Sequence, residues 1–151
     1  MTQAQNTEAR QSWLGLLATA PDHSLTELCD KLGKLPAFDW LRPPEIGSVM
    51  VRGRTGGTGA AFNLGEMTVT RCALQLKGSD VVGHGYVQGR DKARAERAAL
   101  IDAMMQTDAA EAVRATVLDP LTAARDQARA ARAARAAATR VEFFTMARGE
   151  D

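Results

Sequence analysis

The sequence predicts an α+β fold, with N-terminal helices, an antiparallel sheet of about three or four strands packed by a helix, a long Ala/Arg-rich C-terminal helix and a terminal extended segment. Three observations carry this. Near the N-terminus, apolar residues recur at helical spacing; between Ile46 and Gln88, β-branched and alternating runs are bounded by glycine. From Ala123 to Ala138 the chain is almost wholly Ala and Arg, a composition with high intrinsic helix propensity. A chain of 151 residues is long enough to bury a sizeable core. It divides into an α+β core domain over 1–106 and a helical C-terminal arm with an apolar docking tail over 107–151.

The first helix is expected over residues 7–19, where Trp13, Leu14, Leu16 and Leu17 form a broad apolar face and Pro21 prevents continuation. Ser24 and Glu27 form a capping-box pattern for a second helix, in which Leu25, Leu28, Cys29 and Leu32 fall at i, i+3, i+4 and i+7 before Gly33. Pro36, Pro43 and Pro44 around Phe38 and Trp40 then predict an extended connector over 35–45. Strands are expected over 46–52, 67–76 and 81–88, the last two joined by a tight turn containing Gly78. Gly89 is the joint between the last strand and a helix whose N-cap is Asp91 and whose apolar face is Ala95, Ala98, Ile101 and Met105, widened by Ala99 and Met104. Asp108 is expected to cap a short helical segment, interrupted near Asp119 and Pro120, where proline suits the start of the long helix.

Charge narrows the function classes. With 19 basic against 18 acidic side chains, a net charge of +1 argues against a dedicated nucleic-acid binder. Cys29 and Cys72 lie too far apart in sequence for a zinc knuckle or redox motif, and the two read as free thiols in a reducing compartment. The polar N-terminus and the absence of a long apolar run predict a cytoplasmic protein with no membrane partner. No nucleophile, acid and base constellation stands out, so no catalytic residue is assigned, and no metal ligands. His84, between Gly83 and Gly85, has no carboxylate or cysteine near it in sequence.

Two candidate surfaces remain. The loop at 52–59 can present glycine amides to an anion, with Arg52 and Arg54 adding charge and Gly56, Gly57 and Gly59 supplying the nest. It lacks the lysine and following helix of a phosphate-binding P-loop, and glycine clusters commonly just mark loops. Arg90 and Lys92, crowded with Arg94 and Arg97 at the strand-to-helix joint, are a second anion candidate, or simply a solvated helix face. The candidate partner interface is C-terminal. Arg125, Arg129, Arg132 and Arg135 share one broad helix face, and Val141, Phe143, Phe144 and Met146 make an apolar patch in a terminus that otherwise frays. That helix has no large apolar stripe, so it is either an exposed arm or a surface for another subunit's carboxylates.

RTGGTG at 54–59, TVTRCALQL at 68–76, YVQGRDK at 86–92, AERAALIDAMMQ at 95–106 and RVEFFTMARGE at 140–150, in this order, resemble the PhnG family, the G subunit of the bacterial carbon-phosphorus lyase core complex. Ala98 stands where relatives carry cysteine, which speaks against an essential thiol there, and the Ala/Arg run is more biased than in relatives. The resemblance implies an accessory subunit that assembles with H, I and J subunits, to which ATP-binding-cassette-type subunits attach. It implies a complex that joins alkylphosphonate to the ribose of ATP with loss of adenine, giving ribose 1-alkylphosphonate 5-triphosphate, with the G subunit required beside the I subunit. ATP is then used by the complex, and an iron-sulfur cluster and S-adenosylmethionine belong to a partner subunit, with no cofactor bound by this chain alone. A rival reading has this chain contribute directly to the nucleotide or phosphonate site; a weaker one is nucleic-acid recognition by the arginine helix.

Overall fold

The computed structural model describes residues 3–140, with side chains from residue 7 onward. Helix α1 (Gln3–Thr19) buries Trp13, Leu16 and Leu17, and Ala20 just beyond it, at the i, i+3, i+4, i+7 spacing of one helical face. Helix α2 (Asp22–Asp30) buries Leu25 and Cys29 but begins two residues before Ser24. The expected capping box does not form. Pro21, extended at φ −60° and ψ 138°, occupies the N-cap without a side-chain bond, Asp22 brings a carboxylate to the positive end of the helix dipole, and Ser24 Oγ instead meets His23 Nε2 at 3.2 Å.

Three antiparallel strands, β1 (Phe38–Arg54), β2 (Ala61–Leu76) and β3 (Val82–Gln88), form a sheet in the order β1-β2-β3. Both β1 and β2 are longer than the sequence patterns predict. The expected connector at 38–45 is the start of β1, because on an edge strand prolines need not donate to a ladder, and the register slips on both sides of Arg42 to absorb Pro43 and Pro44. Phe38 and Trp40 meet edge to face at 4.9 Å there. β3 pairs with β2 only over Val69–Gln75, so β1 and β2 continue beyond Thr68 as a two-stranded ribbon.

Helix α3 (Lys92–Met104) crosses the sheet. Asp91 is its N-cap, accepting from the Arg94 amide at 2.9 Å as expected. The helix approaches β3 so closely that a Cβ on Gly83 or Gly85 would sit 2.0 Å from the carbonyl oxygen of Ala99 or Ala95. This is why its inward face is alanine. The cap expected of Asp108 does not form: the next helix has Ala109 at its N-cap with no side-chain bond, and the Thr107 hydroxyl accepts from the Ala109 amide at 3.2 Å just before it. Helix α4 (Ala110–Val113), a π turn (Arg114–Leu118) and helix α5 (Asp119–Ala138) then follow without a break. The widened turn lets Val117 and the adjacent Leu118 both face inward and lies just ahead of Pro120. Val113, Val117, Leu118 and Leu121 join the core that contains Trp13, Leu17, Leu25, Leu74, Val87 and Ile101. Leu121 is the last buried residue described; the rest of α5 projects into solvent. Val141, Phe143, Phe144 and Met146 lie outside the described residues. Among the described residues, no helix is long and apolar enough to cross a membrane.

Candidate functional site

The glycine loop sits at the free tip of the β1–β2 ribbon. Thr55–Gly57 make one 3-10 turn with φ at +59° for Gly56 and +84° for Gly57, a backbone that side-chain-bearing residues rarely adopt. The loop is closed by its own bonds. Gly59 N donates to Thr55 O at 2.8 Å, Thr55 N to Ala60 O at 3.4 Å, and Arg54 Nη1 to Gly59 O at 3.2 Å. Arg52, Arg54 and Gly57 line an open cavity of about 500 Å³ at this tip.

Arg90 and Lys92 are elsewhere. Gly89, at φ +90°, turns the chain into α3 while its amide donates to Thr68 O at 2.9 Å and its carbonyl accepts from Thr70 Oγ1 at 2.7 Å. Of the four basic residues at the joint, Arg94 spans the Ala20 and Gln88 carbonyls and Arg97 pairs with Asp22 at 3.5 Å. Arg90 and Lys92 stay exposed. Extended chain from Ala61 to Thr68 separates the tip from the joint by roughly 20 Å, so the anion candidates form two patches.

The arginine helix forms a groove with the α1–α2 corner. Its floor is apolar, with Leu16, Ala20, Leu121, Ala124 and Ala128; Arg125, Arg129 and Arg132 also line it, and the cavity is about 500 Å³. Arg135 does not line the groove. The spacing by four and three that put these arginines on one helix face thus places three of them over one apolar trough.

A polar centre escaped the sequence reading. Asp102, fully buried, accepts from Arg10 Nη2 at 2.7 Å and Nε at 3.1 Å, from Trp13 Nε1 at 2.9 Å and from the His84 amide at 2.9 Å. One carboxylate thereby ties α1, β3 and α3 together. Its signal in the sequence is its place at i+7 from Ala95, on the stripe with Ala98 and Ala99, where a charged residue is out of character. His84 takes part only through its backbone in this network.

Burial pushes the thiols of Cys29 and Cys72 up to about 11, with Arg97 partly opposing this at Cys29 and the Gly85 backbone hydrogen bond at Cys72. Cys72 Sγ donates to Ala95 O at 3.2 Å. Ala98 is buried against the same core. Among the described residues, no group of three or more His, Cys, Asp or Glu side chains gathers as a metal would require. What the surface offers chemically is cationic and apolar contact, at the ribbon tip and along α5.

Known proteins are similar to this chain in sequence. The pattern of the family described as phosphonate metabolism protein PhnG matches residues 8–149. A relative from Rhizobium meliloti (strain 1021), named alpha-D-ribose 1-methylphosphonate 5-triphosphate synthase subunit PhnG, is 44% identical over 142 residues, covering 94% of this chain and 90% of that protein.

Proposed function

The chain belongs to the PhnG family of phosphonate metabolism proteins, and on that premise we propose that it is an accessory subunit of a ribose 1-methylphosphonate 5-triphosphate synthase. In this reading it acts beside the I subunit, within a core that also contains H and J subunits and to which ATP-binding-cassette-type subunits attach. The reaction breaks the bond between the ribose C1 of ATP and adenine and forms a bond from C1 to a phosphonate oxygen, adenine leaving with the proton. The chain's part is to shape and stabilise the I subunit so that phosphonate, rather than water, captures C1. ATP is the complex's substrate; an iron-sulfur cluster and S-adenosylmethionine serve a later step in a partner subunit.

The observation that carries the docking role is α5. A helix of 20 residues with only Leu121 buried gains little from its own domain, yet it sets Arg125, Arg129 and Arg132 along an apolar groove. That combination suits a partner helix with apolar residues on one face and carboxylates at its margins, the arginines making charge-assisted bonds. Arg135 and the tail residues Val141, Phe143, Phe144 and Met146 are the further candidates for partner contact in this reading.

The test is omission. Purified partner subunits are given ATP and methylphosphonate with and without this chain, adenine and ribosyl phosphonate are quantified, and co-elution is followed by size-exclusion chromatography. The reading expects ribosyl phosphonate only when this chain is present and co-eluting. Equal product without it removes the role. A chain truncated before Arg140 that assembles and supports turnover as the full chain does would remove the tail from the partner contacts.

A further inference from the structure

We propose that the β1–β2 ribbon beyond Thr68 is a second docking element, which inserts into a cleft of another subunit of the same synthase, one wall of the cleft apolar and the other carrying carboxylates. The inference rests on the subunit reading above and deepens it by naming a different surface and the chemistry of its receptor.

The argument begins with the ribbon's own stability. From Val49↔Met67 to Arg54↔Ala61 only two strands are present, and the ribbon reaches roughly 20 Å past the third. Two-stranded ribbons are marginal in water, because one ladder and half a layer of side chains barely offset the loss of chain entropy. Here neither edge of the ribbon is paired and no helix covers it.

The side chains do not suit solvent either. Val49, Val51 and Gly53 share one face by strand alternation, and across from them Phe62 lays its ring 3.5 Å from where a Cβ on Gly53 would be, with Leu64 beside it at 3.8 Å. The register slip between Val51 and Arg52 brings Leu64 to this face. Phe62 is 44% exposed and Leu64 66%. On the other face Met50 is 52% exposed, and Ile46, just before the ribbon, is 46% exposed. Long, apolar, unpaired edges of this kind are strongly disfavoured in proteins that work alone. Arg52 and Arg54 share this second face with Met50, Asn63 and Glu66, so a ribbon with one apolar and one cationic face needs a cleft with two unlike walls.

Charge specifies the cleft's second wall. From residue 48 to residue 65 the ionisable side chains are Arg52 and Arg54, with Glu66 only at the ribbon's base, where it accepts from Ser48 Oγ at 3.2 Å. An arriving ribbon therefore brings two guanidiniums in a tip that contains no carboxylate, and burying them requires anionic partners. Carboxylates of the receiving subunit meet that need and set the register of insertion.

The experiment co-expresses the chain with its synthase partner subunits and compares wild type with Leu64→Asp, Met50→Asp and Arg52→Glu/Arg54→Glu. These positions are exposed and outside the core, so each variant should melt as the wild type does. The expected result is at least a tenfold loss of co-eluting complex for each variant, with amide exchange over residues 49–67 slowed at least tenfold in the wild-type complex relative to the free chain. Variants that co-elute within twofold of wild type, with ribbon amides exchanging equally in both states, overturn the inference and leave the subunit reading standing. Wild-type chain that never co-elutes overturns both. A ribbon-dependent dimer of the isolated chain, or methylphosphonate or ATP binding to the free chain that Arg52→Glu/Arg54→Glu abolishes, overturns it in favour of a second copy or of substrate as the occupant.

Discussion

Asp102→Asn tests the buried polar centre by changing one oxygen to an amide nitrogen. In the native protein Oδ1 accepts from Arg10 Nε and Trp13 Nε1, and Oδ2 accepts from Arg10 Nη2 and the His84 amide. Whichever way the asparagine is oriented, its NH2 group faces two N–H donors. Two hydrogen bonds to a charged acceptor are lost, at about 1.5–3 kcal/mol each. The Arg10 side chain is 32% exposed and can recover some hydration, which brings the net cost to about 3 kcal/mol, the low end for breaking a buried pair. For a chain of this size that corresponds to a fall in melting temperature of roughly 6–12 °C. Trp13→Phe, which removes one donor and leaves the carboxylate with the others, should cost about 1.5–3 kcal/mol. Thermal and urea denaturation followed by circular dichroism measure both. An Asp102→Asn protein melting within about 2 °C of wild type would refute the view that this network holds α1, β3 and α3 together, as would additive effects of Arg10→Met and Asp102→Asn.

Gly85→Ala should destabilise by about 3 kcal/mol or more, because the new Cβ would fall 2.0 Å from Ala95 O and 2.8 Å from Cys72 Sγ, and α3 must retreat from the sheet; the denaturation midpoint reads this, and an unchanged midpoint counts against the close packing. Cys29 and Cys72 should resist a thiol-specific reagent at pH 8 in the folded protein and react at once in denaturant, since burial holds both near 11. Their folded values lie above the unfolded 9.0, so the folded state holds these protons more tightly. The associated stability, at most about 3 kcal/mol for each thiol, is fully present below pH 9 and is lost as pH rises towards 11. A denaturation midpoint flat from pH 8 to 11, together with native thiols that react freely, would contradict this.

Most local structure was legible in the residues. The helical stripes of α1 and α2 follow from apolar spacing, the Asp91 cap from its place between a glycine joint and an Ala-rich run, and α5 from alanine propensity, all of which act within a few residues along the chain. The motif blocks also carried the family. The misses share a cause. Pro43 and Pro44 read as part of an extended connector, and became strand only because β1 has no neighbour on its outer side, a fact about sheet order. Phe62 and Leu64 fell outside the strand expected over 67–76, since pairing with Arg52, Gly53 and Arg54 is what extends β2 to Ala61. Ser24 and Glu27 fit a capping pattern, but Pro21 had already started the helix.

The function-bearing surfaces divide the same way. The arginine face of α5 could be drawn from spacing, whereas the trough beneath it exists because the α1–α2 corner lies alongside. The glycine loop was visible, but its position at the tip of an unsupported ribbon, roughly 20 Å from Arg90 and Lys92, was not. Sequence by itself determined the α+β class, the helix faces, the Asp91 cap and the family, because propensity, periodicity and motifs are local. Tertiary structure decided the partners of Asp102, the need for Gly83 and Gly85, and which apolar residues remain uncovered. Those depend on contacts between residues as far apart as Arg10 and Asp102, which only the packed chain brings within hydrogen-bond distance.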